Sequence, residues 1–279
     1  MFKSVGLVGV GAMGQALLQR LVLAGVKVRA YDISEESMAA ARKLGAETVD
    51  SPAEASRGVE AVHLFVRTDQ EEIQSATGPG GLLEGAVPGT ILLLHSTVMP
   101  ETTLQVAAAA KKKNVDVVDA PVTSVPRHVS GGEGVFLVGG DPDVVALVRP
   151  HLKVLGKHLY YFGPLGSGNI AKIAKNSINA MERVMLAEVL AVVEAGGLDL
   201  NNFMEMSVVT DQGSTVARWE RAFSIDQNHA SPRPASNILN KDIGHAADLA
   251  DSLGVSAPIM RSSADMAKVW VAAWQESDK

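Results

Sequence analysis

The sequence predicts an α/β fold with a doubly wound, mostly parallel sheet in its first half and an all-helical domain in its second half. Six short apolar runs in the first half have the length of buried strands: residues 5–10, 26–31, 61–67, 90–94, 115–118 and 135–138. Segments with helical spacing separate these runs, and strands that alternate with helices form mostly parallel sheets. After residue 163 only helical spacing remains. We therefore predict two domains, residues 1–163 and residues 164–279.

Length and composition set limits on what the chain can be. Its 279 residues suffice for one large or two ordinary domains, and a hydrophobic fraction of 47% is ample for a packed core. The net charge is −6, and the three lysines at 111–113 fall at the end of a predicted helix, where cations complement the helix dipole. We therefore expect no nucleic-acid partner. The absence of cysteine excludes disulfides and thiolate metal sites.

The sequence gives no sign of membrane insertion or of a resident metal. The N-terminal residues enter directly into a predicted strand, and no apolar run approaches the length of a membrane span. We therefore expect a cytoplasmic protein. The seven histidines are scattered, without the paired spacing typical of metal ligands, so we expect no metal site.

A glycine-rich turn follows the first predicted strand and precedes the first predicted helix. Its pattern is Gly9-x-Gly11-Ala12-Met13-Gly14. Glycines at these places permit a sharp turn, let a pyrophosphate approach the backbone and let the helix pack close to the strand. The free N–H groups at the helix N-terminus favour the negative phosphates. Such turns also occur without a ligand, but here the context predicts a Rossmann-type dinucleotide site.

An acidic residue lies at the end of the second predicted strand, at the distance from the turn that a dinucleotide site requires. Asp32 can accept hydrogen bonds from both ribose hydroxyls, and its charge repels a 2′-phosphate. The next residues, Ile33 and Ser34, offer no arginine to hold such a phosphate. The sequence therefore predicts that NAD is preferred over NADP.

The third and fourth predicted strands end in residues that can contact a ligand, because ligands bind outside the carboxyl ends of such strands. Val66 and Arg67 end the third strand, where they would border the adenine or ribose. Arg67 could instead be a solvated loop cation. Ser96 and Thr97 follow the fourth strand, and their hydroxyls could contact a ligand, cap the helix that begins at Pro100, or do both.

A polar segment between the fifth and sixth strands is rich in turn-forming residues, and we predict a loop over residues 123–134. Loops at this edge of a sheet commonly bind substrate, which makes Thr123 and Ser124 candidate substrate contacts. Arg127 could hold a carboxylate, phosphonate or sulfonate with two hydrogen bonds, or face water. His128 could be a loop residue or a ligand.

The second half begins with a long predicted helix, residues 169–195. Lys172 and Asn176 lie four residues apart and therefore share one face of it. Apolar residues occur on several faces, and a helix that is apolar all round must be buried. We therefore predict that this helix packs against a partner subunit of a homo-oligomer, a dimer or a tetramer.

Four separated motifs together resemble the β-hydroxyacid dehydrogenases, the family that contains 3-hydroxyisobutyrate dehydrogenase and tartronate semialdehyde reductase. The resemblance covers essentially the whole chain. The motifs are the glycine turn at 9–14, Asp119-Ala120-Pro121-Val122, Gly168-x-x-x-Lys172-x-x-x-Asn176 and Lys241-Asp242. The resemblance implies an enzyme that transfers a hydride between NAD(P) and a small β-hydroxy acid or its semialdehyde.

The resemblance also implies roles for individual residues. Lys172 would be the catalytic lysine and Asn176 a substrate contact. Lys241 would lie on the nicotinamide side, and Ser96 and Thr97 would lie between cofactor and substrate. A lysine suits this chemistry, because its pKa shifts readily on burial and its ammonium form stabilises a negative oxygen.

Two departures from the family pattern bear on the substrate. Relatives usually continue the second motif with Ser-Gly-Gly, whereas this chain has Thr123-Ser124-Val125, which keeps hydroxyls and adds bulk. Pro234 lies near the place where relatives usually carry a phenylalanine.

Two other functions remain open on the sequence. An imine reductase of the same fold is one, although such relatives usually replace the helix lysine. A non-catalytic dinucleotide-binding module is the other, and the presence of Lys172, Asn176 and Lys241 argues against it.

Overall fold

The computed structural model describes residues 1–210, 214, 217, 219, 223–226, 229–232 and 237–277. The chain divides into two compact units, Met1–Lys172 and Ile173–Lys279. The domain boundary that we predict between residues 163 and 164 precedes the long helix and stays a prediction. Pro234 and most of the residues from 211 to 222 lie outside the described part of the chain.

The first unit is built on an eight-stranded sheet with the order β3-β2-β1-β4-β5-β6-β7-β8. The strands are β1 Ser4–Val8, β2 Lys27–Tyr31, β3 Glu47–Thr48, β4 Ala61–Leu64, β5 Ile91–Leu94, β6 Asp116–Asp119, β7 Val135–Gly139 and β8 His158–Gly163. All neighbours pair in parallel except β6 and β7, which are antiparallel. The predicted Rossmann-type sheet is confirmed, and its strand order reverses direction between β1 and β4, where such folds bind ligands.

Helices connect the strands and cover both faces of the sheet. They are α1 Ala12–Leu23, α2 Glu35–Lys43, α3 Pro52–Ser56, α4 Asp69–Thr77, α5 Leu82–Gly85, α6 Pro100–Lys111, α7 Pro126–Ser130 and α8 Pro142–Leu155. Side chains cap several of them. The Ser34 hydroxyl accepts from Ser37 N at the start of α2, and the Asp141 carboxylate accepts from two N–H groups at the start of α8.

Alternating residues of the central strands divide between two hydrophobic cores, one on each face of the sheet. In β5, Ile91 and Leu93 join the core that contains α1, whereas Leu92 and Leu94 join the core that contains α6. The central strands β4 and β5 are buried on both faces because helices cover both, which explains their continuous apolar runs in the sequence. Burial of one such leucine stabilises the fold by about 2 kcal/mol.

The structure corrects the predicted loop at 123–134. It contains the short helix α7, which begins at Pro126, a residue favoured at the first position of a helix. Val129 of α7 is fully buried in the core that includes α1. A single apolar residue among polar ones gives no helical periodicity, so the sequence pattern did not show this helix.

The second unit is formed mainly by helices: the part of α9 Ser167–Ala195 from Ile173 onward, α10 Leu200–Val208, α11 Asn237–Ser252 and α12 Pro258–Ser277. Its core includes Leu186, Leu190, Leu200 and Trp219. Within the described residues, no helix combines the length and the apolar character needed to cross a membrane.

Two parts of the sheet structure were missed by the sequence analysis. Strand β8 was not predicted, although its sequence, HLYYFG, is rich in the aromatic residues typical of strands. Most of its residues are exposed. The second unit is a helical region, as predicted, but it also contains an antiparallel pair that the prediction of an all-helical domain did not include, β9 Phe223–Asp226 and β10 His229–Pro232. Unlike the equally short buried strands of the first unit, these two strands mix polar and apolar residues, so neither forms a continuous apolar run.

Candidate active site

The glycine turn between β1 and α1 has a backbone that only glycine can supply. Gly9 has a φ of +90°, and a Cβ there would collide with the carbonyl oxygen of Phe65. A Cβ at Gly14 would collide with the carbonyl oxygen of Gly9. The turn is therefore sharp, and α1 begins in direct contact with it.

The N-terminus of α1 is open toward the edge of the sheet. Gly11 is its N-cap, and no side chain hydrogen-bonds there. A Cβ built at Gly11 would meet nothing within 4 Å, and both Gly11 and Ala12 are exposed, while Met13 is half-buried. The first turn carries no acidic side chain. These residues fit the pyrophosphate of a dinucleotide, which binds free N–H groups at such helix starts.

Asp32 is held in place by the backbone at the end of β2. One carboxylate oxygen accepts from Val10 N at 2.6 Å and the other from Ser34 N at 2.8 Å. Each oxygen of a carboxylate can accept about two hydrogen bonds, so each retains capacity for a ribose hydroxyl. The carboxylate is thus oriented and half-buried beside the glycine turn.

The ends of β4 and β5 are joined by a hydrogen bond between two of the predicted site residues. Val66 N donates to Ser96 Oγ at 3.1 Å, and Ser96 is 1% exposed. Thr97 is half-buried. Met99 is the N-cap residue of helix α6, and its side chain makes no capping hydrogen bond. Arg67 is 84% exposed and pairs with Glu71.

Lys172 is anchored at the end of β6. Its Nζ donates to the carbonyl oxygen of Val122 at 2.7 Å, and the residue is half-buried. The carboxylate of Asp119 accepts from Gly166 N at 2.8 Å and from Asn169 N at 2.9 Å, at the start of α9. Burial raises the pKa of Asp119, and the hydrogen bonds from these N–H groups act in the opposite direction.

The segment after Val122 offers two hydroxyls. Thr123 Oγ1 is buried without a hydrogen-bond partner among the described residues, and Ser124 Oγ accepts from Val135 N at 3.2 Å. A buried hydroxyl without a partner is costly unless a ligand or water completes its hydrogen bonding. Arg127 and His128 are exposed on α7, apart from these contacts.

The second unit brings Asn176 and Lys241 together around a third residue. Asn176 Nδ2 donates to Asp242 Oδ2 at 2.6 Å, and Lys241 Nζ lies 3.2 Å from Asp242 Oδ1. Asp242 is only 3% exposed, so its charge is paired as buried charges must be. The sequence analysis noted Asp242 within a motif but did not include it among the site residues.

Three histidines, none of them predicted as a group, form a buried hydrogen-bonded chain directly before Ser96. His63 Nδ1 lies 2.8 Å from His95 Nε2, and His63 Nε2 lies 3.0 Å from His151 Nε2. His95 Nδ1 must donate to Ala120 O, at 2.8 Å, because a carbonyl only accepts. Donation therefore runs from His151 to His63 to His95 to Ala120 if all three rings are neutral.

Burial disfavours the charged form of each of these rings. It lowers the pKa of His95 and of His151 to about 4, and the pKa of His63 well below its usual range. The rings are therefore neutral at pH 7. In the described part of the chain, no group of three histidine or acidic side chains is placed to hold a metal ion.

Two family models together account for nearly all of the chain. Residues 4–163 match the NAD binding domain of 6-phosphogluconate dehydrogenase. Residues 166–279 match the NAD-binding domain of NADP-dependent 3-hydroxyisobutyrate dehydrogenase. The chain belongs to the β-hydroxyacid dehydrogenase family. It is thus an oxidoreductase whose cofactor is a nicotinamide dinucleotide, and the resemblance drawn from the sequence motifs is confirmed.

Several relatives match over most of both chains. An NAD-dependent L-serine dehydrogenase of Pseudomonas aeruginosa is 26% identical and covers 92% of this chain and 88% of its own length. A 3-hydroxyisobutyrate dehydrogenase of the same organism is 29% identical, with coverages of 91% and 88%. A 2-(hydroxymethyl)glutarate dehydrogenase of Eubacterium barkeri is 28% identical, with coverages of 91% and 85%.

Solved structures share the fold. A 3-hydroxyisobutyrate dehydrogenase from Mycobacterium tuberculosis with L-serine superimposes with a TM-score of 0.82 at 24% identity, over 98% of this chain and 94% of that one. An imine reductase from Myxococcus stipitatus with NAD⁺ gives a TM-score of 0.64 at 17% identity, over 98% and 95%. At these identities the likeness establishes the fold alone.

Proposed function

We propose that this enzyme oxidises the hydroxyl of a small β-hydroxy acid, of the 3-hydroxyisobutyrate kind, with NAD, or reduces the corresponding semialdehyde. The observation that carries the proposal is the placement of Lys172. Its amine is fixed by Val122 O at the carboxyl edge of the sheet. The next residue in the chain is Thr123, whose hydroxyl has no partner among the described residues. The relatives named as dehydrogenases of such hydroxy acids support the substrate class.

In this mechanism Lys172 moves the proton. A nicotinamide dinucleotide held by the glycine turn and Asp32 would supply the acceptor for the hydride that leaves the carbon carrying the hydroxyl. The hydroxyl proton passes to the neutral amine of Lys172, so the alcohol loses two hydrogen nuclei and two electrons in total. In the reverse direction the Lys172 ammonium stabilises the forming alkoxide and then protonates it.

We propose that hydroxyl and amide groups of the enzyme bind the acid group of the substrate. Ser96, Thr123, Ser124 and Asn176 are the proposed substrate contacts, and hydrogen bonds from neutral donors suit a carboxylate. Arg127 is exposed and stays the alternative for a more highly charged acid. The proposed cofactor contacts are the glycine turn, Asp32, Val66, Arg67, Thr97 and Lys241.

The test compares two classes of substrate in the direction of reduction. Purified enzyme is mixed with NADH and either a β-semialdehyde acid or a cyclic imine, and the loss of NADH absorbance is followed. The proposal predicts that the semialdehyde alone is reduced. Reduction of the imine alone would favour an imine reductase, and no reduction with NADH still bound would favour a binding module.

We also propose that Asp32 makes NAD the preferred cofactor. Changing Asp32 to alanine is expected to lower kcat/KM for NAD by about tenfold or more, because hydrogen bonds to a charged group contribute about 1.5–3 kcal/mol. The same change should improve relative use of NADP, since the repulsion of a 2′-phosphate is gone. Steady-state kinetics with both cofactors measures the ratio.

The control for this prediction is Asp32→Asn, which keeps one acceptor for Val10 N but removes the charge. If charge sets the preference, the asparagine variant should accept NADP while retaining more NAD activity than the alanine variant. An unchanged ratio of NAD to NADP activity in both variants would show that another residue determines cofactor choice.

The apolar surface of the second unit supports a homo-oligomer, which we propose forms through α9. Ile178, Met185 and Val192 of this helix are 56%, 49% and 73% exposed, and Ile259 of α12 is 73% exposed. Ile178, Met185 and Ile259 line a groove of about 620 Å³ between the two helices. Exposed apolar patches of this kind mark interaction sites.

Light scattering after gel filtration at micromolar concentration should therefore give at least the mass of a dimer. Met185→Glu is expected to shift the protein toward monomer, because a charge in an apolar interface is costly to bury. Glu205→Gln, on exposed surface of α10, is the control and should leave the mass unchanged. A monomeric mass for the unmodified protein would refute this proposal.

A further inference from the structure

We propose that Asp119 is a positioning residue for Lys172. The segment 119–122, which begins with Asp119, holds both the backbone of the helix that carries Lys172 and the amine of the Lys172 side chain. At one end, the Asp119 carboxylate binds the backbone of the helix that carries Lys172. At the other end, Val122 O accepts the hydrogen bond from Nζ. The inference rests on the proposed catalytic role of Lys172 and adds a residue that does not touch the reacting atoms.

The hold on the helix is specific in its geometry. Each carboxylate oxygen of Asp119 accepts one N–H, from Gly166 at 2.8 Å and from Asn169 at 2.9 Å. The side chain of Asn169, itself fully buried, donates to Thr103 Oγ1 at 2.9 Å. The first turn of α9 is thus tied to β6 and α6, and Lys172 follows Asn169 by less than one turn.

Two glycines make room for this carboxylate. A Cβ at Gly168 would lie 2.7 Å from Asp119 Oδ2, and a Cβ at Gly139 would lie 2.5 Å from Oδ1 and 2.9 Å from Gly168 N. None of these three distances is compatible with a side chain at Gly139 or Gly168. The start of α9 therefore packs against the ends of β6 and β7 as closely as the backbone allows.

The segment that holds Lys172 is itself fixed by hydrogen bonds on every side. Ala120 N donates to Leu94 O at 2.7 Å, and Ala120 O accepts from His95. Pro121 O accepts from Leu137 N at 3.1 Å. Val122 forms an antiparallel bridge with Phe136. A fixed segment and a fixed helix start leave little freedom for the amine, and small displacements of a catalytic group can lower rates about 100-fold.

Burial of Asp119 distinguishes it from an ordinary helix cap. Asp119 is fully buried, whereas Asp141, which caps α8 in the same unit, is exposed. A buried carboxylate loses its hydration, so a helix cap at the surface costs less free energy than a buried one when the cap has only a structural role. This contrast supplies a matched control, because both aspartates accept N–H groups at the start of a helix.

The experiment compares Asp119→Asn with Asp141→Asn. The amide in Asp119→Asn can accept only one of the two N–H groups, so α9 should shift. We expect kcat to fall about tenfold to 100-fold, with KM for NAD changed by less than about twofold. Asp141→Asn should leave kcat unchanged, even if it lowers the melting temperature as much.

A double-mutant cycle decides whether Asp119 acts through Lys172. In the Lys172→Ala enzyme, Asp119→Asn should not lower the residual rate further. An equal fractional loss in both backgrounds would overturn the inference, and so would a wild-type kcat for Asp119→Asn. If Asp119→Asn does not fold, Asp119→Thr, which keeps one acceptor and suits a strand end, takes its place with the same expected loss.

The two failures are distinguishable. Should Lys172→Ala remain active, the proposed function loses its catalytic residue and this inference falls with it. Should Lys172→Ala be inactive while Asp119→Asn turns over normally, the positioning role alone is refuted.

Discussion

Replacing Lys172 by alanine is expected to lower kcat for hydroxy acid oxidation by about 1,000-fold. General acid–base catalysis contributes about 100-fold to 10,000-fold, and no other amine is proposed to receive the hydroxyl proton. NADH binding should remain nearly intact, because the glycine turn and Asp32 belong to other elements. Steady-state kinetics and quenching of tryptophan fluorescence by NADH measure the two quantities separately.

Lys175 provides the matched control for this prediction. It lies on the same helix, three residues further on, and is exposed. Lys175→Ala should keep kcat within about twofold of the unmodified enzyme, as surface substitutions usually do. A Lys172→Ala enzyme that retains activity within about tenfold would show that Lys172 does not transfer the proton.

Lys172→Arg separates proton transfer from electrostatic stabilisation. Arginine keeps the positive charge but does not lose its proton near neutral pH. It should therefore fail as a base in alcohol oxidation, even if it still stabilises a negative oxygen. Full oxidation activity in the arginine variant would show that the charge alone matters.

The second large effect is a loss of stability in mild acid, caused by the chain of His63, His95 and His151. Each ring has a lowered pKa in the folded protein. Below the ordinary histidine pKa of about 6.5, the unfolded chain therefore binds more protons than the folded protein. The stabilising contribution is complete above that pH and is lost as the pH falls toward 4. For His95 alone, the stability lost once the pH is below the folded-state pKa of about 4 amounts to about 3 kcal/mol.

Urea unfolding at a series of pH values from 8 to about 5 measures this loss. The free energy of unfolding should fall most steeply below about pH 6.5. His151→Phe should reduce the slope of the unfolding free energy against pH, since it removes one of the three rings. Besides burial, the N-terminal amine and His95 lower the pKa of His151, and Glu60 raises it.

His158 is exposed and provides the control for this effect. His158→Gln should leave the pH dependence of unfolding unchanged, because the exposed ring takes no part in the buried histidine chain. A flat profile for the unmodified protein between pH 7 and 5 would show that the histidine chain does not titrate as described.

The cofactor turn could be predicted from sequence because its signals are local. Gly9, Gly11, Gly14 and Asp32 lie within one strand–helix–strand unit. Gly9 and Gly14 leave no room for a Cβ within that unit, whereas the space at Gly11 is open to a ligand. The mostly parallel sheet and its buried strands followed from alternating apolar and helical segments. These features need no knowledge of what the distant parts of the chain do.

Contacts between distant residues could not be predicted in this way. Asp119 binds the start of α9 across 47 residues, and His63 contacts His151 across 88. The only local sign was a histidine, His63, inside an otherwise apolar strand, which indicates a buried polar group with partners elsewhere. Strand β8 is a different case, because its aromatic run HLYYFG is typical of a strand and was overlooked.

The most direct test of the central claim is the formation of NADH by the purified protein from a panel of hydroxy acids at alkaline pH. The panel contains 3-hydroxyisobutyrate, glycerate, serine, and phosphonate and sulfonate analogues. We predict NADH formation with at least one β-hydroxy carboxylate, and turnover of only the phosphonate or sulfonate compounds would place Arg127 in the substrate site. No NADH from any member of the panel, in a protein that still binds NADH, would contradict the proposed function.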